Sequence, residues 1–313
     1  MTEMNDNILV TILMSVYNVN NNYLIEAIES IIGQTYKKLE FLIFDDNTSE
    51  SNKNILHKYA TKDCRIRVIT NEEKLGLTKN LVRGVEICKG QYICRQDADD
   101  ISHEDRIEKQ LFFMEKHLDI AVLGTNYTRL ENGRLIFPKI TYGTKLVRTK
   151  LLFENCIMHS SVMIRKAFLK AHKLNYNCSV EKSQDYDLWT RIIMLGNIDI
   201  LKERCCILRI HEGQITKKSW HAQKQYFLDA AERYLRNSLL PEINDQDALC
   251  YKRFLAMSTE DYMKTIQWAI KLFFTKFDAT KYDTKYIKCF LIKRIFRLTA
   301  KNLFSFFFNV KFS

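Results

Sequence analysis

The apolar positions of this chain fall into two rhythms. Between residues 8 and 123, short continuous apolar runs alternate with stripes at helical spacing. Residues 8–16, 39–44, 65–69, 92–95 and 120–123 read as strands. The first two are apolar almost throughout, which suits strands buried on both faces. Between them, four groups fall on single helical faces: Leu24, Ile28, Ile31 and Ile32; Ile55, Leu56 and Tyr59; Leu77, Leu81 and Val85; Ile107, Leu111 and Met114. Asn20 to Asn22 supplies an N-cap for the first of these helices. Strands that alternate with helices predict an α/β fold with a mostly parallel sheet flanked by helices.

The rhythm changes after Asn126. Residues 127–137 read as a hairpin around Asn132-Gly133. A helix is expected over 146–153, a strand over 160–164 and a helix over 166–172. Another helix opens at Ser183, as N-cap, and runs to Leu195, where Gly196 stops it. Two strands follow, 198–201 and 205–210. From Trp220 onward the pattern is helical, interrupted near Pro241, with no glycine after Gly213. The division expected is an α/β unit over 1–216 and a basic helical extension over 217–313.

Charge sharpens that division. The net charge of +11 is uneven: residues 217–313 hold 18 Lys+Arg against 9 Asp+Glu, and the first 216 hold 30 against 28. In the last segment, 286–312, Lys288, Lys293, Arg294, Arg297 and Lys301 mix with Phe290, Leu291, Ile295, Phe296 and Leu303. This suits either a helix lying on anionic lipid or a solvated face of helices packed on the first unit. No reader motif for nucleic acid accompanies the charge, so no nucleic-acid partner is expected. The nine cysteines include no Cys-x-x-Cys pair and read as reduced thiols, not as a disulfide framework or a zinc site. Residues 1–7 carry no basic n-region, and no run of 18 apolar residues occurs. The expectation is a cytoplasmic protein, with peripheral attachment to a membrane as the open option.

Chemistry concentrates at strand ends. Tyr17-Asn18, Asp45-Asp46 and Asp97-Ala98-Asp99-Asp100 each follow a strand, and a parallel sheet would bring them to one rim, where α/β sheets bind ligands. On extended backbone Asp97 and Asp99 would point to one side and offer a site to Mg²⁺ or Mn²⁺. The alternative is an acidic turn, or a cap for a helix starting near Glu104. Asp45 could likewise cap the segment after it. Asp185 and Asp187 could be acids favoured by a helix dipole. His211 is either a surface histidine or a metal or phosphate contact. Trp189 falls with Ile192 and Ile193 on a core face.

The ordered set of motifs resembles family 2 glycosyltransferases of the GT-A fold, over about residues 8–216. The resemblance rests on Val16-Tyr17-Asn18, Asp45-Asp46-Asn47-Thr48, Asn71 with Gly76-Leu77-Thr78-Lys79-Asn80, Gly90-Gln91-Tyr92-Ile93 and Asp97-Ala98-Asp99-Asp100. It continues through Arg106 with Gln110, Gly124-Thr125, His159-Ser160-Ser161, Gln184-Asp185-Tyr186-Asp187-Leu188-Trp189 and Arg209-Ile210-His211. The members it is most similar to build bacterial capsule, lipooligosaccharide or O-antigen sugars. It implies a nucleotide-sugar half over about 1–126 and an acceptor half over 127–216. It further implies a nucleoside-diphosphate sugar donor, UDP-linked by preference, and a saccharide or lipid-linked acceptor. Tyr17 and Asp46 match positions that hold the base, and Lys79 could approach the phosphates. Asp97 matches a position near ribose or metal, Asp99 the metal-binding aspartate of the DxD motif, and Asp185 the general base of an inverting transfer. Ser15 replaces a common proline, Gln184 a common glutamate, and Asn47-Thr48 the usual Gly-Ser. Gln184 puts the base role on Asp185 alone, and Asn47 could alter the turn near the base. Two other readings stand beside this one. A catalytically inactive saccharide-binding scaffold is one. The other is a sugar-1-phosphate nucleotidyltransferase, which should carry a Gly-rich basic loop where this chain has Met14-Ser15-Val16-Tyr17-Asn18.

Overall fold

The computed structural model describes residues 7–211 and 220–309. Its first half follows the alternation read above: β1 (Val10–Val16), α1 (Asn21–Ile32), β2 (Leu39–Asp45), α2 (Glu50–Lys62), β3 (Ile66–Thr70), α3 (Leu77–Ile87) and β4 (Tyr92–Arg95). The two-residue β5 (Ile101–Ser102), α4 (Arg106–Lys116), β6 (Ile120–Glu131) and β7 (Arg134–Ile136) come next. Then follow α5 (Thr144–Lys150), a 3₁₀ turn (His159–Ser161), β8 (Met163–Arg165), α6 (Lys166–Ala171), α7 (Gln184–Ile192) and β9 (Asn197–Ile210). The last described elements are α8 (Trp220–Ser238), α9 (Asp245–Ala256), α10 (Tyr262–Phe274) and α11 (Thr284–Asn309).

One sheet has the order β3-β2-β1-β4-β8-β6-β9-β5, with β7 paired to β6. The strands β3, β2, β1 and β4 are parallel, β8 is antiparallel to both of its neighbours, and β9 runs parallel to β6. The period of two along each strand sorts its side chains onto two faces. Val10, Ile12, Met14, Phe41 and Ile43 pack with Leu24, Ile28, Ile107 and Leu111. Leu13, Leu42, Phe44 and Ile93 pack on the other face with Leu81 and Trp189. That second core continues without a break into Leu228, Tyr234, Tyr251, Trp268, Ile287 and Leu291. The C-terminal helices therefore bury their inner faces against the sheet's own helices. The boundary expected at 216/217 and the end of the 286–312 segment lie outside the described residues.

Several local expectations are corrected. The two strands expected over 198–201 and 205–210 are one, β9, whose pairing with β6 shifts register at Thr125/Asn126 and Asn126/Tyr127. The strand expected over 160–164 begins as the 3₁₀ turn and pairs only from Met163. The helix expected over 146–153 spans Thr144–Lys150. Ser183 precedes α7, but its φ of 56° is left-handed and its hydroxyl donates to the Gln223 carbonyl at 3.0 Å, so its side chain does not cap. The hairpin turn at Asn132-Gly133 forms as read, with both residues at positive φ.

Candidate active site

Because β1, β2 and β4 are adjacent and parallel, their carboxyl ends share one rim. Side chains stitch the loops there together. Asp45 Oδ1 accepts from the Thr48 amide at 2.9 Å and closes the turn after β2, while the cap of α2, a role open to Asp45 from the sequence, falls to Ser49, whose hydroxyl accepts from the Asn52 amide. The Asn18 amide donates to Thr48 Oγ1 at 2.7 Å. Asn47 sits at φ 55°, where the common pattern has glycine. Asparagine tolerates that region better than other side chains, so the tight turn survives the replacement.

Asp46 is buried, and both of its oxygens are engaged. Oδ1 accepts from the Leu75 amide at 2.8 Å and from Asn71 Nδ2 at 3.0 Å; Oδ2 accepts from the Gly76 amide at 2.9 Å. The carboxylate thus shapes the loop that leads into α3. Tyr17 is 42% exposed on the same rim, with Lys74 Nζ 3.6 Å above its ring. Lys79 is exposed in the first turn of α3.

The acidic cluster is a turn, not extended backbone. The Asp100 amide donates to the Asp97 carbonyl at 3.4 Å, so strand alternation is not what orients Asp97 and Asp99. Arg95, 1% exposed, reaches from the last position of β4 to Asp97 Oδ1 at 2.5 Å. Asp99 Oδ2 lies 2.8 Å from His211 Nε2. Asp100 accepts from Ser160 Oγ and, at 3.0 Å, from the Arg209 amide. Arg209 also donates to the Asp99 carbonyl at 3.0 Å and pairs with Glu26. The end of β9 is thereby latched to the turn, and His211 arrives beside Asp99 because Arg209 and Asp100 hold the strand there. Below the cluster, buried Arg106 bonds Gln96, Ser102, the Arg95 and Val162 carbonyls, and Gln110.

Burial first, then neighbouring charge, sets the electrostatics. Burial and the Asp97 and Asp99 carboxylates push Asp100 well above the ordinary carboxylate range. Burial also raises Asp97; Arg95 opposes the shift and Asp99 adds to it. Carboxylate oxygen and imidazole nitrogen are donor types that Mn²⁺ and Mg²⁺ accept, and the close pair of them here is Asp99 with His211. Asp97 is paired with Arg95, and both oxygens of Asp100 are taken by Ser160 and the Arg209 amide. Among the described residues, no three or more His, Cys, Asp or Glu side chains converge closely enough to hold a metal ion, so a cation here would need ligands from the nucleotide or from solvent as well.

Asp185 stands in the first turn of α7, half-buried, and accepts from Asn155 Nδ2 at 2.7 Å. Burial raises its pKa; hydrogen bonds from the Tyr186 amide and Asn155 oppose the shift, and the Asp97 charge adds to it. Asn155 and Asp97 both line a cavity of about 400 Å³, together with Tyr127, Lys139, Lys150 and His159. His159 Nε2 is 2.8 Å from the Tyr176 hydroxyl, and its ring meets the edge of Trp189. Burial, with the Arg95 charge, holds His159 neutral well below the usual imidazole range. Asp187, two residues beyond Asp185, is turned away. It pairs with Arg191 at 2.8 Å and with Arg233 of α8, a structural task. Trp189 is fully buried in the core, as its spacing required.

The rim therefore gathers Tyr17, Asp46 and Lys79 around β1, β2 and α3, and joins Asp99 to His211. Asp97 shares a cavity wall with the partner of Asp185. Two residues escaped the sequence reading. Arg95 carried a signal, since a charged residue inside an apolar strand has to find a buried partner. Asn155 lies in an aperiodic stretch and carried none.

An open α/β sheet with acidic turns at the ends of its parallel strands is the architecture of a glycosyltransferase of the GT-A fold. The family model for glycosyl transferase family 2 matches residues 11–172, and the chain belongs to that family of enzymes. An uncharacterized glycosyltransferase of Methanocaldococcus jannaschii is 38% identical over 203 residues, covering 63% of this chain and 69% of its own. The O-antigen biosynthesis glycosyltransferase WbnJ of Escherichia coli is 33% identical over 219 residues, covering 67% of this chain and 83% of its own. The crystal structure of S. aureus TarS in complex with UDP matches with a TM-score of 0.61 at 16% identity, over 83% of this chain and 78% of that one. Among the described residues, no helix is long and apolar enough to cross a membrane.

Proposed function

We propose that the enzyme transfers a sugar from a nucleoside-diphosphate donor to a hydroxyl of a saccharide or lipid-linked acceptor in surface polysaccharide synthesis, with inversion at the anomeric carbon. The observation that carries this reading is one cavity whose wall bears an acidic-turn carboxylate and the hydrogen-bond partner of Asp185. Asp97, of the acidic turn, lines it directly, and Asp185 is held by the wall residue Asn155. Donor and acceptor need such a shared space.

Asp185 takes the proton of the acceptor hydroxyl. The acceptor oxygen forms its bond to the anomeric carbon as the bond to the diphosphate breaks, and the electron pair leaves with the diphosphate. A base whose proton affinity is raised by burial suits a poorly acidic hydroxyl. Asp97, Asp99 and His211 would hold a divalent cation, which supplies charge neutralisation for the leaving diphosphate. Tyr17 offers its exposed ring to the base, and Lys79 its free-standing charge to the phosphates. Asp46 acts on the base pocket through the loop 71–76 that it shapes, with any direct contact to a base N–H requiring that loop to move. UDP is the favoured nucleotide because structures of the similarly folded TarS contain UDP and UDP-GlcNAc.

The test is binding of UDP-, GDP-, CMP- and dTDP-sugars to the purified protein, with and without Mn²⁺. One nucleotide class should bind in a metal-dependent way, and Asp99→Ala should lose that dependence. Failure of every donor to bind a folded sample sinks the reading in favour of an inactive scaffold.

A further inference from the structure

The helix α11 is apolar on two faces, and the fold covers one of them. Ile287, Leu291 and Leu298 are fully buried in the core. On the opposite face, Ile292 is 43%, Phe296 72% and Leu303 51% exposed. Ile292, Phe296 and Leu303 fall on one line at helical spacing, with Cys289 and Ala300 beside it. Exposed cations edge this line: Lys288 on one side, Lys293 and Arg297 on the other. The neighbouring α10 repeats the arrangement. Met263, Ile270 and Phe274 form an exposed line, with Lys264 and Lys271 next to it.

The two helices pack side by side. Their seam is marked by a 2.8 Å contact between the Tyr262 hydroxyl and Thr299 Oγ1, and by Lys288 Nζ 5.4 Å over the Phe273 ring. By helical spacing, both apolar lines run along the outer side of that seam. Residues 262–309 hold ten Lys+Arg against two Asp+Glu. Apolar and aromatic side chains bordered by cations whose stems can extend past them are what an interfacial helix presents to a bilayer. A protein partner or a second copy would need an acidic complement to this surface, and a second copy of so basic a face would repel it.

We propose that the outer face of α10 and α11 seats the enzyme on an anionic lipid surface. The face is joined to the cavity described above. Tyr286, in the first turn of α11, donates to Glu154 Oε1 at 3.0 Å, and Glu154 pairs at 3.0 Å with Lys150. Both acidic and basic partner line the cavity that Asp97 lines. A docked α11 thus fixes one wall of the acceptor side relative to the membrane plane. This goes beyond the transfer chemistry and does not depend on which donor is used.

The test uses the full chain and vesicles of phosphatidylcholine, with and without phosphatidylglycerol, in a co-sedimentation assay. Binding should need phosphatidylglycerol and weaken as salt rises. Lys288→Gln/Lys293→Gln/Arg297→Gln should weaken it by roughly a hundredfold, from three surface cations. Phe274→Ser/Phe296→Ser/Leu303→Ser should also lose it while keeping the far-ultraviolet circular dichroism and donor binding of the parent. Absence of binding to the anionic vesicles overturns the proposal, as does binding that both variants retain. So does a dimer in light scattering that Phe296→Ser disperses, which would assign the face to a second copy.

Discussion

The strand rim and the outer helical face break the rule of apolar inside and polar outside in opposite ways. At the rim, charged groups are buried, and each has found a partner: Arg95 with Asp97, Arg106 with two carbonyls and three side chains, Asp100 with Ser160 and Arg209. On α10 and α11, large apolar groups such as Phe274 and Phe296 are exposed, 76% and 72%. Buried charge is costly unless bonded, so the rim spends stability on a fixed arrangement of carboxylates. Exposed aromatics cost little until a surface meets them. Chemistry is expected where the polar network is rigid, and association where the apolar face is bare. The sharpest way to break this contrast is to disable each region alone. Asp185→Asn should lower kcat by about 10²- to 10⁴-fold, the usual weight of a general base, with donor affinity unchanged. Phe296→Ser should leave kcat with a water-soluble acceptor where it was. A Phe296 variant that loses turnover in solution would merge the two regions and remove the distinction.

The next largest effect asks whether the regions are separate at all. Leu291 of α11 is fully buried in the same core as Leu13 and Phe44 of the sheet. Leu291→Ala should cost about 2–5 kcal/mol, the range for large-to-small changes in a core. If the helices fold with the sheet, calorimetry should show one transition moved as a whole. An early transition for the helices alone, with the sheet's melting unmoved, would make the extension its own unit.

The sheet was legible because its strands are apolar runs of the right length and its connections are helices with one clear stripe. Topology then dictates that the ends of β1, β2 and β4 meet, so Tyr17, Asp46 and Asp97 could be placed on one rim from residue order alone. What strand periodicity could not supply was the geometry beyond β4. Side-chain alternation holds on extended backbone, and the chain turns at Ala98-Asp99, so the pairing of Asp99 with His211 depends on a strand more than a hundred residues later. The fate of Asp187 was hidden for a related reason. Arg191, four residues on, is a helical-spacing partner that Asp185 lacks, but Arg233, which takes the other oxygen of Asp187, arrives on α8. Long-range partners of polar residues leave no periodic trace, which is also why Asn155 passed unseen.

That same acid offers a smaller test. Asp187 is 2% exposed, but Arg191 and Arg233 are 28% and 46% exposed, so solvent screens part of the attraction. Asp187→Ala should cost about 1–3 kcal/mol, well short of a fully buried pair, because both arginines can turn to water. Urea denaturation would read it. Since the bridge joins α7 to α8, the loss should appear in the single transition of the whole chain, and kcat should fall far less than in Asp185→Asn.

The smallest effect expected is the most specific to the proposed chemistry. Asn155 donates to Asp185 and so favours its charged form, against the burial that favours the neutral one. Asn155→Ala removes that donor. The proton affinity of Asp185 then rises further, and a general base works only when deprotonated. The acid limb of the kcat–pH profile should move to higher pH, while the plateau on its alkaline side changes little. A lower plateau with an unmoved limb would mean that Asn155 acts only through its bond to the Ile157 amide, as part of the turn. A moved limb in Asn155→Ala, absent in Asp187→Ala, would tie the titrating group to Asp185 and leave its neighbour on the same helix out of the reaction.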